Sequence, residues 1–330
     1  MAEKSGFGRL TIRENTMRTD LSIVIPLFNS EDTVRSVLDE VIYQLHKAGI
    51  DPEIILVNDG SNDGTDSIVR GFIQEHKRNV TYIQLAKNFG EHNAVMCGLA
   101  HSTKEMIVIM DDDGQNPPEE INKLLARLED GYDVVYASYD QKQHSWLRNS
   151  ASRITGETAR YFLGKPKELY LSSFKALRRG LALNILQYKG PFPHLDSILF
   201  KQTDAISSVQ CAHRARAEGK SNYNFRRLFS LWLNMVTVSS VMPLRLASIF
   251  GLIMSATGAS LAFYFILSWA VGGIWYEAEF PQGWASLITC ITLFSGVQLL
   301  MLGIMGEYIG KMYVSASSNP QYVIRTVIKV

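Results

Sequence analysis

The sequence has few cysteines and almost no net charge, and each shortage excludes a class of protein. Its three cysteines, Cys97, Cys211 and Cys290, are far apart and have no metal-ligand spacing. They form no disulfide framework or zinc site, which is typical of a protein in a reducing compartment. The formal net charge is +1, whereas binding of nucleic acid needs a clear basic excess. We therefore expect no nucleic acid partner.

The chain also lacks a secretory signal peptide at its start. Residues 1–20 are polar, mixed in charge and without hydrophobic periodicity, which predicts a flexible leader. Met17 is an equally good first residue for the natural chain, in which case the residues before it are not native.

Short apolar runs alternate with amphipathic stretches from Leu21 onward. The apolar runs, rich in β-branched residues, occupy 21–27, 53–58, 80–85, 106–110 and 133–138. Solid runs of this kind are typical of strands that are buried on both faces of a parallel sheet. Helical patterns lie between them, near 32–48, 65–77, 91–102 and 118–130. The alternation predicts a doubly wound α/β domain with a mostly parallel sheet.

Polar residues follow the predicted strands, at the edge of the sheet where ligands bind in such folds. They stand at Pro26–Asn29, Asn58–Ser61, Ala86–Asn88 and Asp111–Asp113. The first of these segments lacks the G-x-G-x-x-G pattern of dinucleotide-binding proteins, which disfavours a membrane-tethered dehydrogenase. This edge of the sheet is therefore the predicted site.

Two long stretches, 246–276 and 280–306, contain no charged residue. Each is longer than the roughly 20 apolar residues that cross a bilayer, so we predict two transmembrane helices; two buried core helices are the alternative. The turn between them, Glu277–Gly283, is acidic, whereas the outer flanks are basic: Arg226, Arg227, Arg245, Lys311, Arg325 and Lys329. The positive-inside rule then puts both chain ends in the cytoplasm and makes the protein a multi-pass inner-membrane protein.

Two further stretches have apolar residues at helical spacing beside basic ones. They are Lys175–Lys189 and Phe225–Val238. We favour amphipathic helices in the headgroup layer of the membrane, with helices packed on the sheet as the alternative. The chain then divides into a leader (1–20), a cytoplasmic catalytic domain (21–223), a juxtamembrane helix (224–245), two spans (246–306) and a cytoplasmic tail (307–330).

Three adjacent carboxylates, Asp111–Asp113, follow a fully apolar strand. Adjacent carboxylates repel one another, so a cation is a good reason to keep them there; a solvated acidic turn is the alternative. Asp111, Asp113 and Gln115 share a side as long as the backbone stays extended, and their oxygens suit Mg²⁺ or Mn²⁺. Asp59 ends an earlier strand, and Gly60–Ser61 after it leaves room for a base or ribose.

Several motifs together carry a resemblance to a known family. They are PLFN (26–29), VNDGSNDGT (57–65), KNFGEHNA (87–94), MDDDGQNPPE (110–119), LSSFKALRR (171–179), GPFPHLD (190–196), HRARAEGKSNY (213–223), PLRLAS (243–248) and LGIMGEYIGKMY (302–313). Over residues 20–330 the chain resembles the inverting, GT-A-type glycosyltransferases of family two. Within that family it is similar to the polyisoprenyl-phosphate glycosyltransferases, relatives of dolichol-phosphate mannose synthase, and to their bacterial undecaprenyl-phosphate (bactoprenol) glucosyltransferases.

The resemblance implies roles for the residues at matching positions. The nucleotide-sugar donor would be bound by Pro26, Phe28, Asn29, Asp59, Lys87, Asp112 and Asp113. The metal ion would be held by Asp111, Asp113 and Gln115. The phosphates and the acceptor would be bound by Arg216, Lys220, Ser221, Tyr223 and either Arg148 or Arg153. Asp113 is the expected catalytic residue, and Asp196 is a second candidate that orients the acceptor or is structural.

The chain departs from the family pattern at two places. Many relatives have Asn-Glu-Glu where this chain has Asn29–Ser30–Glu31, and the mannose synthases carry an arginine where Tyr139 follows the fifth strand. The second departure, together with the two spans, favours enzymes that load undecaprenyl phosphate for cell-envelope polysaccharide modification. We expect a UDP-sugar donor, with glucose favoured, and a GDP-mannose-dependent mannosyltransferase as the alternative.

The expected reaction is attack by a lipid phosphate on the anomeric carbon of the donor sugar, with inversion. The expected partners are the nucleotide sugar, a polyisoprenyl phosphate and the lipid bilayer, with a homo-oligomer as a further possibility. A processive polysaccharide synthase is disfavoured because the Gln-x-x-Arg-Trp motif is absent. A non-catalytic regulator that binds nucleotide sugars is disfavoured by the intact acidic triplet.

Overall fold

The structure is a computed structural model that describes residues 20–76, 79–139, 169–190, 193–212, 214, 242–270, 283–317 and 320–330. It divides into two compact units. The first contains the residues up to 228 together with those from 319 onward, and the second contains residues 229–318. Arg148, Arg153, Arg216, Lys220, Ser221 and Tyr223, together with the predicted amphipathic stretch 225–238, lie outside the described residues.

The first unit is built on an eight-stranded sheet. Its strands are β1 (Leu21–Leu27), β2 (Glu53–Asn58), β3 (Val80–Leu85), β4 (Met106–Ile109), β5 (Val134–Ser138), β6 (Lys175–Arg178), β7 (Ile206–Gln210) and β8 (Ile324–Lys329). Their order across the sheet is β7-β5-β6-β4-β1-β2-β3-β8. The pairs β1–β2, β1–β4, β2–β3 and β5–β7 are parallel, and the pairs that involve β6 or β8 are antiparallel.

Helices cover both faces of this sheet. They are α1 (Val34–Lys47), α2 (Thr65–His76), α3 (Glu91–His101), α4 (Ile121–Glu129), α5 (Arg179–Ile185) and α6 (Leu195–Gln202). Helices α1, α2 and α4 pack on one face, and α3, α5 and α6 on the other. Because strand side chains alternate between the two faces, both faces of β1 are apolar and buried, as the solid run of residues 21–27 predicts. The predicted doubly wound, mostly parallel α/β domain is confirmed.

The predicted interfacial helix at Lys175–Lys189 is wrong. Its first four residues form β6, which lies between β4 and β5, and the next seven form α5. Leu177, Leu181 and Ile185, the expected membrane-facing stripe, are buried in the core of the first unit. The alternative, a helix packed on the sheet, is correct for α5, whereas the first four residues are a strand of the sheet itself. Helical spacing of three apolar residues over about two turns did not distinguish a short antiparallel strand followed by a helix from a single helix.

The last strand was also not expected. The sequence predicts a cytoplasmic tail from residue 307, whereas β8 adds an antiparallel strand to the edge of the sheet beside β3. Its side chains alternate between half-buried and exposed, as in a strand with one packed face. The segment after the long apolar stretches therefore belongs to the first unit.

The second unit contains two long helices, α7 (Met242–Ala270) and α8 (Trp284–Ala316). They contact each other at small residues: a Cβ placed on Gly258 would lie 3.8 Å from the ring of Phe294. Their positions match the two predicted apolar spans. Within the described residues, no helix meets the combined requirement of length and apolarity for crossing a bilayer. The two spans therefore stay a prediction.

Candidate active site

The site residues converge on the edge of the sheet where β1, β2, β3 and β4 end. Asp112 joins two of these strand ends, since Phe28 N–H donates to its Oδ2 (3.1 Å) and Thr33 Oγ1 donates to its main-chain oxygen (2.7 Å). Burial raises the pKa of Asp112 to about 6, and the like charges of Asp111 and Asp113 act in the same direction. The loop that carries Asp111–Asp113, the acidic loop, is therefore held together with the loop after β1.

Two side chains hold Asp111, and only one of them, Asn116, belongs to the motif at 110–119. Ser173 Oγ donates to Asp111 Oδ2 in a short hydrogen bond, and Asn116 Nδ2 donates to the same oxygen (3.1 Å). Burial raises the pKa of this carboxyl group, while the two donors lower it. Sequence reasoning missed Ser173, which is far from the acidic loop along the chain; its only signal was its place in the LSSFKALRR motif.

The backbone of the acidic loop does not stay extended. Strand β4 ends at Ile109, and Gly114 has a φ of 73°, so the chain turns between Asp113 and Gln115. Asp113 Oδ1 accepts a hydrogen bond from the main-chain N–H of Gln115 (3.1 Å). The condition under which Asp111, Asp113 and Gln115 share one side, an extended backbone, is therefore not met between Asp113 and Gln115. Whether they share a metal ion stays a prediction.

The chemistry of the acidic loop fits a hard divalent cation. The pKa values of Asp111 and Asp112 are raised by burial and by the negative charges of neighbouring carboxylates, so a positive charge placed among them would relieve an unfavourable arrangement. Carboxylate and amide oxygens are the ligands that Mg²⁺ and Mn²⁺ prefer. In the described ranges of the chain, however, no group of three or more His, Cys, Asp or Glu side chains is already arranged around a common point.

Asp59 holds the loop that follows β3. Its two oxygens accept hydrogen bonds from the main-chain N–H groups of Phe89 (2.7 Å) and Gly90 (2.8 Å). Burial raises the pKa of Asp59, and these two bonds oppose that shift. A direct contact of Asp59 with the donor stays a prediction; the role that the structure gives it is to connect β2 with the loop at 86–90.

Gly60 makes this connection possible. A Cβ at this position would lie 2.5 Å from the main-chain carbon of Lys87, and the residue has a φ of 67°. Gly60→Ala should therefore lower the free energy of unfolding by about 2–4 kcal/mol. The matched control is Gly71→Ala in α2, where a Cβ meets no atom within 4 Å, and it should raise stability by about 0.4–1 kcal/mol. Thermal unfolding of both variants checks this; equal effects would contradict it.

The remaining predicted donor residues lie on or beside the same loops. Phe28 is 46% exposed, so its ring is free to stack on a planar ligand. Asn29, with a φ of 51°, accepts a hydrogen bond from Asn62 N–H (2.9 Å) and thereby joins the loops after β1 and β2. Lys87 is exposed beside the Phe89 ring, whereas Pro26 is buried inside β1.

Asp196 is held in a buried ion pair with Lys175, which lies opposite Ile109 at the end of β4. Lys175, on β6, forms a short ion pair with Asp196, and Tyr136 Oη donates to the same carboxylate (2.8 Å). Burial alone would raise the pKa of Asp196, but Lys175 and two neighbouring histidines, His92 and His194, hold it below its ordinary value. The pair connects β6 with the first turn of α6. Sequence reasoning did not identify Lys175.

Arg214 ties the segment before the predicted phosphate loop to the acidic loop. Its main-chain N–H donates to Gln115 O (3.2 Å). Its guanidinium donates to both oxygens of Glu40 (2.8 Å each) and to Glu119 Oε1 (2.7 Å). This contact places the start of the HRARAEGKSNY segment at the predicted site.

Comparison with known proteins agrees with this geometry. Residues 22–185 match the family model described as Glycosyl transferase family 2. The chain is 31% identical over 308 residues to the undecaprenyl-phosphate 4-deoxy-4-formamido-L-arabinose transferase of Enterobacter sp. (strain 638), which covers 93% of each chain. This chain belongs to glycosyl transferase family 2.

Solved structures of a more distant enzyme share the fold. The glucosyl-3-phosphoglycerate synthase of Mycobacterium tuberculosis, in complex with Mn²⁺, UDP-glucose and phosphoglyceric acid, is 20% identical, with a TM-score of 0.51 over 71% of this chain and 83% of that one. A second such complex gives a TM-score of 0.52 over 72% and 83%. At this identity the likeness shows the fold alone, and it confirms the GT-A-like α/β architecture of the first unit.

Proposed function

We propose that the protein transfers a sugar from a UDP-sugar to the phosphate of a polyisoprenyl phosphate, with undecaprenyl phosphate as the natural acceptor, at the cytoplasmic face of the membrane. The observation that carries this proposal is the 31% identity to an undecaprenyl-phosphate sugar transferase, because the match extends over 93% of both chains and not only over the sheet domain. The acidic loop at the end of β4 supports it with the chemistry that a nucleotide sugar needs.

In this proposal the strand-end loops bind the donor. The exposed ring of Phe28 stacks on the base of the donor, and Asn29, Asp59 and Lys87 line the rest of the donor site. Asp111, Asp113 and Gln115 would hold a divalent cation, which would supply positive charge for the diphosphate leaving group. Asp112 fixes the acidic loop against the loop after β1. Further phosphate contacts come from Arg216, Lys220, Ser221 and Tyr223, together with Arg148 or Arg153.

A strong general base is not needed for this acceptor. The second pKa of a phosphate is about 6, so its oxygen is already ionised at neutral pH. The protein has to orient that oxygen and stabilise the leaving group. Because Asp196 is already bound to Lys175 and Tyr136, we assign it to holding α6 beside the acceptor site and not to proton transfer.

The helices α7 and α8 are the proposed membrane anchor. Both carry large apolar side chains that are exposed in the second unit, among them Leu252, Phe263, Leu267, Leu287, Leu299 and Met312. Lipid is an occupant that would cover such side chains on helices of 29 and 33 residues. An acceptor with a polyisoprenyl chain also has to be bound where lipid is present.

The donor sugar is the finer part of the proposal. We favour UDP-glucose, and the sugar named for the Enterobacter relative, 4-deoxy-4-formamido-L-arabinose, is the competing possibility. A GDP-mannose-dependent enzyme is the second alternative. The structure places Tyr139 after β5, hydrogen-bonded to Asn116 (2.9 Å), where the mannose synthases carry a cation.

The test is an assay of the purified full chain in detergent with Mg²⁺ or Mn²⁺. UDP-glucose, UDP-4-deoxy-4-formamido-L-arabinose and GDP-mannose are each incubated with undecaprenyl phosphate, and labelled lipid is measured. We expect labelled lipid with a UDP-sugar and none with GDP-mannose. Labelled lipid from GDP-mannose alone would overturn the donor assignment. Free nucleoside diphosphate without any labelled lipid would overturn the acceptor assignment.

A further inference from the structure

Four side chains form a directed chain of hydrogen bonds that ends on the acidic loop. Ser172 Oγ donates to Tyr139 Oη (3.2 Å), and Tyr139 Oη donates to Asn116 Oδ1 (2.9 Å). Asn116 Nδ2 then donates to Asp111 Oδ2 (3.1 Å). We call these four residues the Tyr139 relay. Each donor points toward the carboxylate, and hydrogen bonds arranged in series in this way polarise and strengthen one another.

Tyr139 supports the orientation in which the amide of Asn116 faces Asp111. Asn116 is 4% exposed, so water does not replace a lost partner. With the phenol on its oxygen, the amide presents its N–H group to Asp111. The opposite orientation would put the amide oxygen against the carboxylate, which also accepts hydrogen bonds and is repelled by it. The carboxylate therefore selects this orientation, and the phenolic O–H satisfies the buried amide oxygen in it, which holds Asn116 as a donor to Asp111.

The relay and Ser173 act on the same oxygen of Asp111. Asn116 and Ser173 both donate to Oδ2, and across the described ranges no side chain or main-chain group donates to Oδ1. Two donors on one oxygen fix the rotation of the carboxylate about its bond to Cβ. The other oxygen is then presented in one direction, as a ligand for a cation has to be.

The residues of the relay come from three neighbouring strands of the sheet. Asp111 and Asn116 follow β4, Tyr139 follows β5, and Ser172 precedes β6. The ring of Tyr139 is held edge-on against Tyr170, with centroids 5.7 Å apart. Because β6 pairs with both β4 and β5, the relay is built on paired strands and not on one mobile loop.

We propose that Tyr139 is a positioning residue for the divalent cation, which acts through Asn116 to orient Asp111. The proposal rests on the metal-dependent function proposed above and adds a residue outside the acidic motif to it. Groups that hydrogen-bond to a metal-ligating carboxylate typically change metal affinity by about 10- to 100-fold when they are removed. Tyr139 acts one residue further away, so we expect the lower end of that range.

Tyr139→Phe is the test, since it removes the hydroxyl and keeps the ring beside Tyr170. The matched control is Tyr132→Phe, which removes a phenol that accepts a hydrogen bond from Arg127 Nη2 (3.2 Å) at the opposite end of β5. The readout is the binding of Mn²⁺ in the presence of UDP, followed by the loss of the free-ion EPR signal, with turnover measured separately. We expect the Mn²⁺ dissociation constant to rise about 10-fold in Tyr139→Phe and not in the control.

Asn116→Ala and the double variant show whether Tyr139 acts through Asn116. If it does, the double variant binds Mn²⁺ no more weakly than Asn116→Ala alone, because the path is already interrupted. A merely structural role for Tyr139 would instead lower the melting temperature in the absence of metal and would add to the effect of Asn116→Ala.

The outcomes separate this inference from the function on which it rests. Full turnover of the wild-type protein in excess chelator, without Mn²⁺ binding, would overturn the metal-dependent function itself. Wild-type binding of Mn²⁺ together with unchanged affinity in Tyr139→Phe would overturn the inference alone. Additive effects in the double variant would also overturn it. A 10-fold loss of affinity that is not additive with Asn116→Ala supports it.

Discussion

Asp113→Asn is expected to lower turnover by about 1000-fold, equivalent to roughly 4 kcal/mol of transition-state stabilisation. The substitution removes the negative charge but leaves an oxygen that can still accept the hydrogen bond from Gln115 N–H. The loop therefore keeps its turn, while the proposed cation loses a charged ligand. Single-turnover assays with saturating donor and a thermal unfolding curve measure the two effects separately.

The control for this substitution is Asp130→Asn. Asp130 is exposed and pairs with Arg127 (2.9 Å) at the end of α4, away from the strand ends that form the site. The Asp130→Asn variant should have wild-type activity and a melting temperature within about 2 °C of the wild type, because exposed ion pairs contribute little to stability. Wild-type turnover by Asp113→Asn would remove Asp113 from the proposed mechanism. A large loss of melting temperature in that variant would instead indicate a structural role.

Lys175→Met is expected to lower the free energy of unfolding by about 3–5 kcal/mol, because it leaves the buried carboxylate of Asp196 without its cation. For a unit of this size the melting temperature should fall by roughly 10 °C. The double variant Lys175→Met with Asp196→Leu should recover most of this loss, since it removes both charges. Lys104→Met is the control, because the Lys104–Asp20 pair is exposed and its atoms are 3.8 Å apart.

The pH dependence of this effect has a definite sign. In the wild type the pKa of Asp196 is below its ordinary value, so the pair stabilises the fold above about pH 4 and this contribution is lost as the pH falls further. Without Lys175, burial dominates and raises the pKa of the carboxyl group. The penalty of Lys175→Met should therefore be largest at neutral pH and should shrink in acid. A penalty that does not depend on pH would contradict the ion pair as its cause.

The turnover of Asp196→Asn shows whether Asp196 has a role beyond holding α6 in place. If its role is structural, Asp196→Asn lowers the melting temperature and leaves the turnover of the folded protein within about threefold of the wild type. A turnover lowered by about 100-fold or more at an unchanged melting temperature would instead restore Asp196 as a catalytic group, at the scale expected for acid–base catalysis.

The amino-acid sequence was sufficient to predict the sheet domain, the edge of the sheet that carries the candidate site, and the family. Both faces of β1 to β4 are buried in a parallel sheet, so a solid apolar run was sufficient to locate them. The carboxyl ends of parallel strands meet at one edge, so the loops that carry Phe28, Asp59 and Asp112 could be placed together before any coordinates existed. Both inferences use a pattern that is local in the chain and a rule that is general to the fold.

Packing between distant segments set which residues hold the acidic loop and how the rest of the chain completes the sheet. Leu177 in β6 is at helical spacing with Leu181 and Ile185 in α5, yet antiparallel pairing with β4 and β5 buries Leu177 in a strand. That pairing brings Ser173 to Asp111 and Lys175 to a position opposite Ile109 at the end of β4, across 62 residues in the first case. The strand order of a sheet depends on packing between distant segments, which local periodicity does not contain. The partners of Asp111 and Asp196, and the place of β8, were therefore set by that order.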